Sequence, residues 1–253
     1  MMLLRYGVML KGQIFINNIN KNFRQYRRLL ELNCLFFSTS PCKMEDVKDI
    51  KYGPLPADSP YVKPFRLYYT QNGVEKNWDC LKVHDSVAII IFNVTRKKLV
   101  LVKQFRPAVY YGIVSEEGDP NNIDYEKFPP KIGITLELCA GIVDKNKSLK
   151  EIAQEEVLEE CGYDVPLDKI EEVLVYRSGV GVSSAVQSLF YCEVTDELRK
   201  NKGGGVDHEI IEIAEFSIEE IEEKMKPGNV HTSPPSFLFG ILWFLTNKAP
   251  LYR

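Results

Sequence analysis

Histidine is scarce in this chain. His84, His208 and His231 are the only three, too dispersed for a histidine metal cage. The six cysteines (Cys34, Cys42, Cys80, Cys139, Cys161 and Cys192) are scattered and form no C-x-x-C pair. That spacing argues against a zinc site and a disulfide scaffold, and for a reducing compartment. No apolar run reaches the ~20 residues of a membrane span. The longest candidate, Phe237–Leu245, reads as a buried C-terminal helix. Net charge is also nearly absent, −3 over 253 residues with a pI near 5.8, so there is no basic surplus to hold nucleic acid. An anionic substrate would have to be met by local cations. There is no internal repeat, and the length suits one sizeable core with an extension.

Acid is concentrated in one place. Glu155, Glu156, Glu159 and Glu160 fall just before Gly162. On a helix, Glu156, Glu159 and Glu160 stand at i, i+3 and i+4 and share one face. Leu149, Ile152 and Ala153 precede them on that stripe, so a stripe fit for core packing turns acidic in its last turns. Like charges four apart (Glu155/Glu159 and Glu156/Glu160) cost about 0.2–0.5 kcal/mol each. No lysine or arginine follows within the helix, and the helix dipole disfavours acids near its C-terminus. Gly162 suits the left-handed residue that ends a helix. The plain alternative is a solvated acidic face. A divalent cation, which prefers oxygen ligands, accounts better for so many penalties in one turn.

Around this turn the elements alternate. Pro64–Thr70 and Val74–Val83 read as a hairpin across an Asn72-Gly73 type I′ turn. Val87–Phe92, almost wholly apolar, is expected to be a central strand, paired with Leu99–Lys103 across Asn93–Lys97. Residues 111–131, rich in glycine, proline and Asp-Asn, read as a long surface loop. Ile134–Leu138, Ile170–Arg177, Leu189–Val194 and Glu209–Phe216 are expected strands, Gly203–Gly205 a flexible loop and Ile218–Met225 an acidic amphipathic helix. The order gives an α/β fold with a mixed sheet between helices.

The spacing from Gly141 to Tyr163 resembles the Nudix box, G-x5-E-x7-R-E-U-x-E-E-x-G-U, where U is a bulky aliphatic or aromatic residue. Gly141, Glu156, Val157, Glu159, Glu160, Gly162 and Tyr163 match in register. Lys147 stands where the family has glutamate, and Glu155 where it has arginine. The two changes are opposite in sign, so an ion pair of reversed polarity can form between them. The resemblance runs from about Tyr61 to the C-terminus and implies the Nudix αβα sandwich, preceded by the N-terminal β-hairpin. Gln104-Phe105-Arg106 and Glu137-Leu-Cys-Ala140-Gly141 are similar to the ADP-ribose and UDP-sugar pyrophosphatase branch. Trp78–Val87 and Tyr176–Gly181 lean toward its UDP-sugar members.

The resemblance implies a hydrolase that splits a nucleoside diphosphate sugar with Mg2+, or Mn2+ in its place. Glu156 and Glu160 would be metal ligands with the Ala140 carbonyl, and Glu159 a further ligand or water-orienting group. Asp207 or Glu209 would be the base or a third carboxylate ligand; read alone, these two are ordinary loop residues. Arg106 is expected to contact phosphate, with Glu137, Ser178 and Gly179 also on the substrate side. Their plain alternatives are a surface arginine and a tight turn. Trp78, Tyr68 and Tyr69 suit base stacking, or else core or interface; His84 and His208 read as incidental. UDP-sugar hydrolysis, ADP-ribose hydrolysis and a silent nucleotide-sugar binding module stay open. Relatives in this branch look like homodimers, and the hairpin cannot bury both its aromatic rows alone.

Three segments follow: 1–43, an N-terminal segment with the hairpin at 44–83, and the Nudix domain at 84–253. Residues 1–43 carry Arg5, Lys11, Lys21, Arg24, Arg27, Arg28 and Lys43 against one acid, Glu31. They read equally as a mitochondrial transit peptide or as sequence upstream of a working start at Met44. Otherwise the expected compartment is the cytoplasm.

Overall fold

In the computed structural model of the chain, residues 43–206, 209–229 and 231–253 are described. The basic extension therefore lies outside the described residues, apart from Lys43, as do Asp207 and His208.

Two nine-residue strands, β1 (Lys63–Gln71) and β2 (Val74–Lys82), form the expected antiparallel hairpin, with Leu67 opposite Trp78. Its turn residues Asn72 and Gly73 take φ of 53° and 76°, the left-handed pair a type I′ turn demands. The hairpin stands apart from the main sheet.

The main sheet is built on β3 (Ser86–Asn93), whose run Val87–Asn93 is buried throughout. Along one edge β3 pairs in parallel with β8 (Val186–Val194), which pairs antiparallel with β7 (Ile170–Arg177). The other edge is divided. Near the β3–β4 connection, Ile91–Asn93 pairs with the start of β4 (Lys98–Phe105). The two strands then part, and β5 (Ile134–Glu137) and β6 (Cys139–Ile142) enter the gap. β5 pairs with Val102–Phe105 and β6 with Ser86–Ile89. β9 (Ile211–Ser217) closes the far edge of β4.

Strand alternation sorts the core into two layers. Val87, Ile89, Ile91, Val100 and Val102 pack with Ile152, Ala153 and Val157 of α2 (Leu149–Cys161). Ala88, Ile90, Phe92, Leu99 and Leu101 pack with Ile221 of α3 (Ile218–Lys224) and Phe237, Ile241 and Phe244 of α4 (Pro235–Asn247). Each such side chain, fully buried, contributes about 1.5–3 kcal/mol. The result is the expected αβα sandwich with a mixed sheet. No helix of the described residues is long and apolar enough to cross a membrane.

Two expectations are corrected. The stretch 111–131 is not one loop, because α1 (Pro107–Glu117) runs into it. Pro107 occupies the first helical position, where a missing N–H costs nothing. Tyr110 and Val114, one turn apart, bury their side chains, and Tyr110 Oη donates to the Phe128 carbonyl at 2.7 Å. This tertiary contact outweighs Gly112. Gly203–Gly205 is the other correction: it is docked rather than free. Gly204 and Gly205 donate backbone N–H groups to the Glu160 and Glu159 carbonyls at 2.9 and 3.1 Å.

Candidate active site

The acidic helix α2 begins with a capping box. Ser148 Oγ accepts from the Glu151 N–H, and Glu151 accepts from the Ser148 N–H. It ends at Gly162, whose φ of 79° lets its N–H return to the Leu158 carbonyl. The glycine loop then satisfies the carbonyls of Glu159 and Glu160. Gly203, Gly204 and Gly205 have φ of 66°, 111° and 86°, a conformation side chains resist. These amides partly offset the dipole that opposes acids at this end.

The box glutamates divide into two groups. Glu155 and Glu159 face lysines placed before the helix. Lys147 pairs with Glu155, so the reversed-polarity ion pair forms. Lys145 stands 3.1 Å from Glu155 and 3.8 Å from Glu159. Together the two lysines hold the Glu155 carboxyl below its ordinary range. Lys145 is the residue that sequence reasoning missed. Relief of the acidic turn was sought within the helix, whereas it comes from the loop before it.

Glu156 and Glu160 turn the other way, toward β6. Gly141 admits this, since a Cβ there would lie 2.0 Å from Glu156 Oε1. Glu160 is only 4% exposed and accepts from the Ala140 N–H at 3.0 Å. Among the described residues neither carboxylate has a lysine or arginine at ion-pair distance. Burial, reinforced by Glu159 and Glu209, pushes the Glu156 carboxyl up to about 7. Burial pushes Glu160 up to about 8, against the pull of the Cys139 thiol and the Ala140 N–H.

Arg106 stands at the N-terminus of α1 with its fork on Glu137, Nε to Oε1 at 2.7 Å and Nη2 to Oε2 at 2.6 Å. Thr135 Oγ1 also donates to Glu137. Glu137, buried at the end of β5, therefore orients Arg106, and both its oxygens are occupied. Glu137 raises the Arg106 pKa most, with Glu160 and Glu209 contributing after the cost of burial, which puts the guanidinium in the same field as the carboxylates. Glu209 closes over the glycine loop, with Oε2 accepting from the Val206 N–H at 3.3 Å. The divided edge of β3 is what brings these parts together: β5 carries Glu137, β6 carries Ala140, and α2 packs on β6.

Hard carboxylate oxygens that resist ionising side by side are a donor set suited to a hard divalent cation. Among the described residues, no three histidine, cysteine, aspartate or glutamate side chains close into a cage by themselves. The link from Ala140 to Glu160 runs through its N–H.

Residues 82–234 match the family model of the NUDIX domain. The chain belongs to the NUDIX family. It is 40% identical over 220 residues to a uridine diphosphate glucose pyrophosphatase of Mus musculus, covering 82% of this chain and 98% of that protein. The Bos taurus protein of the same name is also 40% identical, over 219 residues. A GDP-mannose pyrophosphatase of Cronobacter sakazakii is 32% identical over 145 residues, 57% of this chain and 65% of that protein.

Within this NUDIX chain, no hydrogen bond among the described residues joins Ser178 or Gly179 to the carboxylates. They form a tight turn in which Gly179 has φ of 63° and its carbonyl accepts from the Val182 and Ser183 N–H groups. That turn meets the hairpin instead. Trp78 Nε1 donates to the Gly181 carbonyl at 2.7 Å, and the Leu81 N–H to that of Val182 at 2.7 Å. His84 Nε2 lies 3.1 Å from the Pro60 carbonyl.

Proposed function

We propose that the chain is a metal-dependent NUDIX hydrolase that cleaves the pyrophosphate bond of UDP-sugars, UDP-glucose foremost, to UMP and a sugar 1-phosphate. The observation that carries this reading is the pair Glu156, half-buried, and Glu160, buried, neither within ion-pair distance of a lysine or arginine among the described residues, beside the Arg106 fork. Glu156 and Glu160, with the Ala140 carbonyl, would hold Mg2+, for which Mn2+ can substitute. Bound there, such a cation neutralises phosphate charge and makes a water more acidic. Arg106, pre-aligned by Glu137, meets phosphate oxygens as they gain charge. Water adds to phosphorus, the bridging P–O bond breaks, and a carboxylate at the rim takes the proton. Glu209, Asp207 and Glu159 are the groups assigned to that transfer. Gly179 would serve the substrate through its backbone amide, whereas the Ser178 N–H is already committed to the Ala185 carbonyl at 2.9 Å.

The exposed hairpin supports a homodimer. Tyr68 is 77% and Trp78 54% exposed, with Phe65, Leu67 and Val74 also open to solvent. A two-stranded ribbon that buries neither face on its own domain is marginal by itself. Free Cys80, Cys139, Cys161 and Cys192 suit a reducing compartment, the cytoplasm. Nucleic acid and membrane are not among the proposed partners.

The test is chromatography of products from the purified full chain with Mg2+ or Mn2+ and a panel of UDP-glucose, ADP-ribose and GDP-mannose. UMP and glucose 1-phosphate should form fastest. Faster turnover of ADP-ribose would transfer the assignment to that substrate. Tight UDP-glucose binding without any UMP would make the chain a binding module.

A further inference from the structure

The carboxylates leave one neighbouring feature unused. A cavity of about 340 Å3 lies against Arg106, walled also by Met44, Asp46, Gln104, Phe105 and Ile210. Small-molecule pockets span about 300–1,000 Å3, so this one has room for a ring and not for a whole nucleotide sugar. Its place is set by the sheet. Gln104 shares its strand face with Val100 and Val102, the face covered by α2, and pairs with Ile211. Ile210 follows Glu209, so the cavity borders the site on two sides.

The wall offers acceptors from Gln104 and Asp46 beside the Arg106 guanidinium. Gln104 Oε1 is buried and has no hydrogen-bond partner among the described residues. Leaving such a group unpaired costs about 1–3 kcal/mol, which a ligand donor recovers once the side chain turns into the cavity. Asp46 adds a carboxylate, one oxygen of which is held by Lys48 at 2.5 Å. An anion repels phosphate but accepts readily from hydroxyl groups. Met44, Phe105 and Ile210 offer apolar surface to the C–H face of a saturated ring. Arg106 marks the boundary where phosphate must begin.

We infer that this cavity is the hexose subsite, and that Gln104 and Asp46 select the glycosyl half of the substrate. The inference rests on the proposed cleavage of nucleotide sugars. It gives the segment Met44–Val47 a part in specificity that lies outside the Nudix box.

The decisive quantity is a ratio: kcat/KM for UDP-glucose over kcat/KM for the methyl ester of UDP, which keeps the pyrophosphate and lacks the hexose. Gln104→Leu in the full chain should lower that ratio about tenfold, the equivalent of about 1.4 kcal/mol. The loss should appear mainly as a higher KM for UDP-glucose. Asp46→Asn, on an exposed segment that does not threaten folding, should lower the ratio in the same sense by about threefold. A ratio unchanged in both variants, with the parent active on both substrates, overturns the subsite while leaving the nucleotide-sugar reading intact. A parent that hydrolyses the methyl ester as well as UDP-glucose also overturns it. Failure of the parent on every nucleotide sugar removes the reading beneath the inference, and the inference with it.

Discussion

Glu160→Gln should make the metal-free protein more stable while disabling it. Folded Glu160 keeps its proton up to about pH 8, whereas the unfolded carboxyl releases it near its ordinary value of 4.5. The folded state therefore binds more protons between these values, and stability falls as pH rises from about 5 to 8. Above that range the penalty is constant. At about 1.4 kcal/mol per pH unit, the interval sets a ceiling of about 5 kcal/mol. Water penetration and relaxation bring the expected release to about 2 kcal/mol. Glutamine has no charge to bury, and its amide oxygen still accepts from the Ala140 N–H. For a domain of this size that amounts to a gain of roughly 4–8 °C in Tm at pH 8.5. At pH 5 the gain should vanish, because Glu160 is then protonated as well. Differential scanning fluorimetry with EDTA at the two pH values reads this directly. UMP release with Mg2+ should fall at least ~100-fold, since a charged ligand is lost. A lower Tm at pH 8.5, an equal gain at both pH values, or activity within about tenfold of the parent would refute the reasoning.

Reversing the box pair tests its role. Glu155→Arg alone places three cations together and should cut activity about tenfold, while Lys147→Glu added to it should restore most of the loss in the same assay. Arg106→Ala strands the buried Glu137, so it should lower Tm by several degrees as well as kcat by about 100-fold; Glu137→Gln should weaken activity less, and kinetics with thermal melts separate the two. Removing divalent ions with EDTA should abolish turnover, and Mg2+ should raise Tm more at pH 8 than at pH 6, because protons compete for Glu156 and Glu160. Light scattering at micromolar concentration should report a dimer, and Leu67→Asp should shift it to a monomer.

The parts legible in the sequence were those carried by short-range pattern. The Asn72-Gly73 hairpin, the buried β3 run, the acidic α2 and its Gly162 stop all follow from spacing within a few residues. The Lys147–Glu155 pair was legible too, because two departures of opposite sign invited it. What escaped depends on distant partners. α1 is held by Tyr110 reaching the Phe128 carbonyl, and Gly203–Gly205 is fixed by carbonyls more than forty residues earlier. Glu137 illustrates the same limit. Its pairing with the fork of Arg106, 31 residues earlier, is not announced by any local spacing. Asp207, expected to share the base role with Glu209, lies outside the described residues.

The parallel pairing of β3 with β8 has a consequence for the order in which this protein folds. α2 carries its own capping box and can form from local contacts. The site cannot, because β3 reaches its parallel partner β8 only across about a hundred residues, Ser86 opposite Gln187. Arg106, Glu137, Glu156 and Glu160 all lie inside that span. Long-range parallel pairing is entropically slow to close. The acidic helix should therefore exist well before the cleft it serves. During refolding, helical signal should recover first and hydrolysis should return only with the last phase. On the ribosome, a chain halted before Val186 would carry every box glutamate and still lack the strand that locks β3 in place.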